Sequence, residues 1–167
     1  MRITDVIVHI LQSNLDQPFA FSQGWVKVRS STIVEIQTDE GLVGWGEAFA
    51  QGLESPQIAG SAIEHSLKPL ILDSNPTDVE VLWHKMYNHT RDFGRKGSIM
   101  SAISAIDIAL WDIAGKFFEV PISQLLGGRF RNQVQPYATG FYRLSGKNEE
   151  GRLAEEAIVH NEAGFNA

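Results

Sequence analysis

Cysteine is absent from the 167 residues, which excludes disulfides and thiolate metal sites but does not define the compartment, because secreted proteins can lack cysteine too. No stretch approaches the roughly 18 apolar residues of a membrane span. Residues 1–5 lead straight into a strand-like run without the apolar core of a signal peptide. A cytoplasmic location without a membrane partner is the resulting expectation. Positive charge is also in short supply: 14 Lys and Arg face 20 Asp and Glu, a net charge of −6. The field of the whole molecule therefore opposes nucleic acid, and no such partner is expected. The one basic cluster, Arg91, Arg95 and Lys96 around Asp92, reads as a solvated loop or as a short anion-steering loop. A phosphate cradle is missing, since Gly44 and Gly46 fall within a strand and Gly127 and Gly128 close a helix. The histidines, at 9, 65, 84, 89 and 160, form no metal-protease pair and accompany no nucleophilic serine.

What is present is an ordinary folding composition, 43% hydrophobic and 20% charged. Residues 3–11 are rich in Val and Ile, and Thr32, Val34, Ile36 and Thr38 alternate with Ile33, Glu35 and Gln37. Both runs predict strands. Asp39, Glu40 and Gly41 supply a turn, and residues 42–48 return as a third strand, completing a three-stranded antiparallel meander. Between the first two strands, residues 13–29 read as a long loop carrying Pro18, Phe19, Phe21, Gly24 and Trp25. A loop of that length is either a lid or binding loop or a set of aromatics packed over the sheet edge. A shorter loop, residues 49–54, follows the third strand.

From residue 55 the period changes from two to 3.6. Ser55 and Pro56 open a helix with an apolar stripe of Ile58, Ala62, Ile63, Leu67, Leu70 and Ile71. A second helix follows Asn75, Pro76, Thr77 and Asp78, with Val79, Leu82, Trp83, Met86 and Tyr87 on its buried face. The third is capped by Ser98, and its residues Ile99, Ile103, Ile106, Leu110, Ile113 and Phe117 share one face. Ala102, Ala105, Ala109 and Ala114 lie around the rest of that cylinder and permit close backbone approach. Pro121, Leu125, Leu126 and the Gly127–Gly128 pair then form a short capped coda. Strands first and helices afterwards predict a segregated α+β unit. Beyond about residue 131, residues 133–141 read as a new strand and residues 148–163 as a helix with Leu153, Ala157 and Ile158 inward and Gly164 as its C-terminal cap. A lone strand and helix of this kind cannot cover both strand faces, so a second, repeating architecture is expected to begin there.

The run from Ala102 through Ser104, Ala105, Ile106, Asp107, Ala109, Leu110, Asp112, Ile113, Gly115, Lys116, Pro121, Ile122, Leu125 and Leu126 to Gly127 resembles the N-terminal signature of the mandelate racemase and muconate-lactonising branch of the enolase superfamily. The resemblance implies an α+β capping domain over residues 1–131, a meander followed by a helical bundle. It implies next, over residues 132–167, the first strand and helix of an incomplete (β/α) barrel. It also implies a Lys-x-Lys motif shortly after the stretch matched by residues 164–167, and no such pair is present. The chain is therefore expected to be part of a larger enzyme and inactive alone, with no catalytic residue and no metal ligand within it.

In that branch the shared step removes the proton α to a carboxylate, with Mg²⁺ stabilising the enediolate. The implied parent is a Mg-dependent acid-sugar dehydratase, with racemase, epimerase or cycloisomerase activity as alternatives. If the chain stands alone, a non-catalytic binding module is the rival. Expected partners are a small carboxylate or sugar-acid substrate, the remainder of the barrel and further copies of the same chain. The two loops would fold over the barrel mouth and set specificity through Phe19, Ser22, Trp25, Phe49 and Gln51, joined by Thr139 near the end of the first barrel strand. Asp107 and Asp112, about 140° apart on a helix, are expected to be paired structural acids. Glu47 reads either as support for the second loop or as a group near the site.

Overall fold

The computed structural model describes residues 1–50, 52–146 and 148–165. The alternating Val, Ile and Thr residues form β1 (Ile3–Phe21), β2 (Gly24–Thr38) and β3 (Val43–Ala48). These pair as an antiparallel meander, and a two-residue β4 (Arg143–Leu144) adds to the far edge in the order β3-β2-β1-β4. Val26, Thr32, Val34 and Ile36 of β2 are buried on one face, while Ile33, Glu35 and Gln37 are half-buried on the other. That is the period-two pattern of a sheet covered on one side.

The long loop expected at residues 13–29 is not a loop. Both strands run through it, and only Ser22 and Gln23 turn the chain. The register passes from Asn14 opposite Val28 to Phe19 opposite Val26, so residues 15–18 bulge out against Lys27. Pro18, with no N–H to donate, sits in that bulge, where the ladder asks for none.

The helices are α1 (Pro56–Ala62), α2 (Lys68–Ile71), α3 (Val79–Thr90), α4 (Ser98–Phe118), α5 (Ile122–Leu125) and α6 (Glu149–Glu162). A π-helical turn, Ile63–Leu67, joins α1 to α2. Pro69 explains it: in α geometry the ring would meet the His65 carbonyl and leave it without a donor, and a widened turn just upstream removes the conflict. The extra residue also rotates the stripe, so that Ile63, Leu67 and Ile71 are fully buried while Ile58 is 51% exposed, against the expectation that it faces inward.

Helix α4 carries the core. Ile103, Ile106, Leu110 and Ile113 are wholly buried, as their spacing predicts. Phe117 is not, because α4 passes the start of β3 at Lys116, whose ammonium donates to the Val43 carbonyl at 2.7 Å. Against the expectation that no stretch reaches membrane length, α4 is long and apolar enough to cross one by length and composition alone, yet its apolar face lies against the sheet. Ala105 and Ala109 face β3, where a methyl group added at Gly46 would overlap the Ala105 carbonyl oxygen and one at Gly44 that of Ala109. Four residues of helix rise roughly 6 Å and two of strand about 6.8 Å, so the two pairs match in spacing and the backbones touch. Asp112 accepts from the Trp45 N–H at 2.9 Å and from Lys116 at 2.7 Å, the structural role expected of it. Asp107 departs from expectation. It is half-buried and hydrogen-bonds to nothing among the described residues; burial, with Glu80 nearby, pushes its carboxyl above the usual range.

At the other end, Gly127 and Gly128 adopt φ of 100° and 105° and close α5. Leu125 packs on the core, but Leu126 is 61% exposed and anchors nothing. Residues 133–141, read as a barrel strand, join no ladder among the described residues. A parallel strand exists only through neighbours on its edges, and here Val134 and Tyr137 are 77% and 71% exposed. α6 forms where read, with Asn148 accepting from the Gly151 N–H and Gly164 at φ 88°. Leu153 is half-buried, whereas Ala157 and Ile158 are exposed rather than inward.

Candidate functional site

β3 ends where Ala48 pairs with Thr32, whereas β1 and β2 continue to the pair Phe21–Gly24. Eight further residues of β2 at about 3.4 Å each make a two-stranded arm of roughly 27 Å. Past Ala48 the chain carries on as loop 49–54 along this arm toward its tip and then returns, so that the Thr32 hydroxyl donates to the Pro56 carbonyl at 2.8 Å. Gly52, at φ 89°, rests on the arm so closely that a methyl group there would overlap the Val28 carbonyl oxygen, and the Leu53 side chain lies where a methyl group added at Gly24 would meet it at 3.8 Å. At the loop's other end, Glu54 accepts from the Ser98 hydroxyl at 3.3 Å, fastening it to the start of α4. The two segments with expected specificity roles thus form one unit.

A third segment completes it. β4 pairs with Phe19 and Ala20, and the Tyr142 ring lies 4.6 Å from the Phe19 ring, centre to centre. Phe19, Phe21, Val26, Arg29 and Tyr142 line a cavity of about 150 Å³. The Arg29 guanidinium sits 4.9 Å from the centre of the Phe19 ring, within cation–π range. Helix α6 holds Tyr142 in place: Arg152 donates to its carbonyl, and Glu156 accepts from the Phe141 N–H at 2.9 Å and from Arg152 at 2.9 Å. Phe141 has a φ of 60°, a left-handed position that a non-glycine residue holds only against cost. The Phe141 N–H, with Arg152 and His160 beside it, holds the Glu156 carboxyl below the usual carboxylate range.

The residues singled out from sequence are distributed unevenly around this unit. Phe19 lines the cavity. Ser22 lies exposed in the turn. Trp25 pairs with Ala20, so its side chain leaves the arm on the face opposite Phe19, and the two rings do not line one cavity. Phe49 is 63% exposed in the second loop. Thr139 is exposed three residues before Tyr142, and Gln51 lies outside the described residues. Glu47 accepts from the Ser31 hydroxyl at 2.6 Å on the outer face of the sheet, a supporting contact. Arg29, Tyr142 and Gly52 were not singled out. Their signals are weak in one dimension, because the register bulge brings Arg29 to Phe19 and only the return of the chain at β4 brings Tyr142 there.

Among the described residues no three His, Asp or Glu side chains are grouped to hold a metal ion. His9 contacts Glu35 at 2.9 Å, but that pair lies on the outer sheet face. The residues present do not fit a Mg²⁺ site, which requires several converging oxygen ligands.

The chain is similar to known proteins along its whole length. The chain is 37% identical to the D-galactarolactone cycloisomerase of Agrobacterium fabrum over all 167 residues, which make up 43% of that protein. It is 43% identical to the arabinonate dehydratase of Saccharolobus solfataricus over 132 residues, 78% of this chain and 34% of that one. Among solved structures, the 3,6-anhydro-D-galactonate cycloisomerase of Zobellia galactanivorans superposes with a TM-score of 0.80 at 34% identity, covering 99% of this chain and 41% of that one. A dipeptide epimerase of Enterococcus faecalis, complexed with Mg and the dipeptide L-Leu-L-Tyr, superposes with a TM-score of 0.78 at 30% identity, over 99% and 44%. The chain spans less than half the length of these relatives. Residues 3–127 match the N-terminal domain of the mandelate racemase and muconate lactonizing enzymes, and the chain belongs to that family.

Proposed function

We propose that residues 1–131 form the capping domain, and residues 132–167 the opening strand and helix of the barrel, of an enzyme that abstracts the proton α to the carboxylate of a sugar acid. Dehydration is the leading outcome, and racemisation, epimerisation or cycloisomerisation are the other resolutions of the same intermediate. The observation that carries this reading is the seating of Gly52 on the Val28 carbonyl. It joins loop 49–54 to the arm tip beside Tyr142, so that three separate segments make one cover. A closed cover excludes water and strengthens each electrostatic contact beneath it. Phe19, Ser22, Trp25, Phe49, Gln51 and Thr139 are its proposed specificity residues.

Mg²⁺ dependence belongs to the proposal, with ligands supplied by the rest of the parent protein, as does a cytoplasmic location. The side chains of Phe130, Val134 and Tyr137, 98%, 77% and 71% exposed, support a barrel as the covering partner, since apolar groups so placed are ordinarily buried at an interface. The complete protein incubated with Mg²⁺ and a panel of sugar acids tests this. Loss of water or inversion at the α carbon that stops on chelation is expected; turnover indifferent to Mg²⁺, or none on any acid, contradicts it.

A further inference from the structure

β3 is the last strand on its side of the sheet, in the order β3-β2-β1-β4. An edge strand presents unpaired N–H and C=O groups, a template on which a second chain can add a strand. The sequence of β3 does little to discourage that: residues 43–48 hold no proline and no lysine, and their one charge is Glu47. In an antiparallel pair the bonds to β2 use alternate residues of β3, which leaves the Val43 carbonyl and the Trp45 N–H on the open side.

Helix α4 reaches round to that side. Glycine at 44 and 46 lets the helix backbone touch the strand, at the Ala109 and Ala105 carbonyl oxygens, and this approach brings even a short carboxylate within range of the edge. Asp112 accepts from the Trp45 N–H at 2.9 Å, and Lys116, one turn on, donates to the Val43 carbonyl at 2.7 Å. The two side chains also bind each other at 2.7 Å, so each is held in place by its partner and by the strand. Both bonds to the backbone are charge-assisted, the stronger class. A strand added to this edge would need the same N–H and the same carbonyl.

We propose that Asp112 and Lys116 act as a surrogate strand, which closes the edge of β3 against β3 of a second copy of the chain. Two such edges are self-complementary, because antiparallel strands related by a twofold axis bond to each other reciprocally. Trp45, 45% exposed on the outer face of the sheet, adds apolar area to that pairing. A surface ion pair by itself contributes little to stability. The role of this one lies in the two backbone groups it occupies.

The complete protein carrying Asp112→Leu with Lys116→Met tests this, by sedimentation over a range of concentrations and by amide exchange. At low concentration the Trp45 amide is expected to exchange about tenfold faster or more than in wild type, the range of a lost charge-assisted hydrogen bond, while the amides of α4 are unchanged. At high concentration the variant should form assemblies larger than those of wild type. Adding Trp45→Pro, which removes the edge N–H but no bond to β2, should return it to wild-type size. Asp112→Asn keeps an acceptor for Trp45 and should sediment as wild type does. Wild-type size of the double variant at every concentration overturns the assignment, and so does growth that persists with Trp45→Pro, the mark of general destabilisation. Should the double variant not fold, Lys116→Met alone decides, since it opens only the Val43 carbonyl: concentration-dependent growth sustains the seal, and unchanged size overturns it.

Discussion

Tyr142 and Phe19 lie 123 positions apart in the chain, yet their rings meet at 4.6 Å with a tilt of 51°. Through that contact helix α6, which grips the Tyr142 carbonyl and the Phe141 N–H, sets the position of the arm tip. Aromatic pairs of this kind contribute about 0.5–1.5 kcal/mol beyond their buried area.

Tyr142→Ala should therefore loosen the tip without unfolding the sheet. Amide exchange at residues 19–26 is expected to accelerate by roughly threefold to tenfold, the range of that contact energy, while the amides of α4 are unchanged. Equal acceleration throughout the sheet would show that Tyr142 serves general stability instead.

Gly46→Ala brings a methyl group into the Ala105 carbonyl, and neither backbone can yield without separating β3 from the core helix. A loss of about 3 kcal/mol is expected in denaturant unfolding. The neighbouring Trp45, which points away from α4, should tolerate change to Phe within about 1 kcal/mol.

Gly52→Ala combines a left-handed backbone with contact against the Val28 carbonyl. The strain falls on a surface loop, so global stability should drop by about 1 kcal/mol. The seating of loop 49–54 is lost, and KM in the complete enzyme should rise more than kcat falls. Unaltered kinetics would separate this loop from substrate binding.

Asp107 offers a pH-dependent check. Its carboxyl is raised in the folded protein by burial, with Glu80 adding to it, so folding favours its protonated form. The associated stability is present below the ordinary carboxylate range and is lost as pH rises through the elevated folded value. Asp107→Asn should raise Tm at pH 7 and leave it unchanged near pH 3. A destabilised variant at pH 7 would reveal a partner for this carboxylate.

Much of this architecture is readable along the chain. Alternation in β2, the apolar face of α4 and the glycines closing α5 are local patterns of period two, 3.6 or single backbone positions, and each forms where those patterns place it. Asp112 too is legible as a structural acid. The arm was not, because Pro18 and its polar neighbours imitate a loop and only pairing with β2 across a bulge keeps them in a strand. Nor was the cavity beside Tyr142: Arg29, Phe19 and Tyr142 show no spacing rule, since distance along a polymer says nothing of distance in space once a register shift and a chain return intervene. Periodicity along the chain thus accounts for most of the elements and the buried face of α4. Register, backbone contact between glycine and alanine, and the meeting of the arm, the loop after β3 and Tyr142 arise from packing, because those contacts exist only when remote segments compete for the same volume.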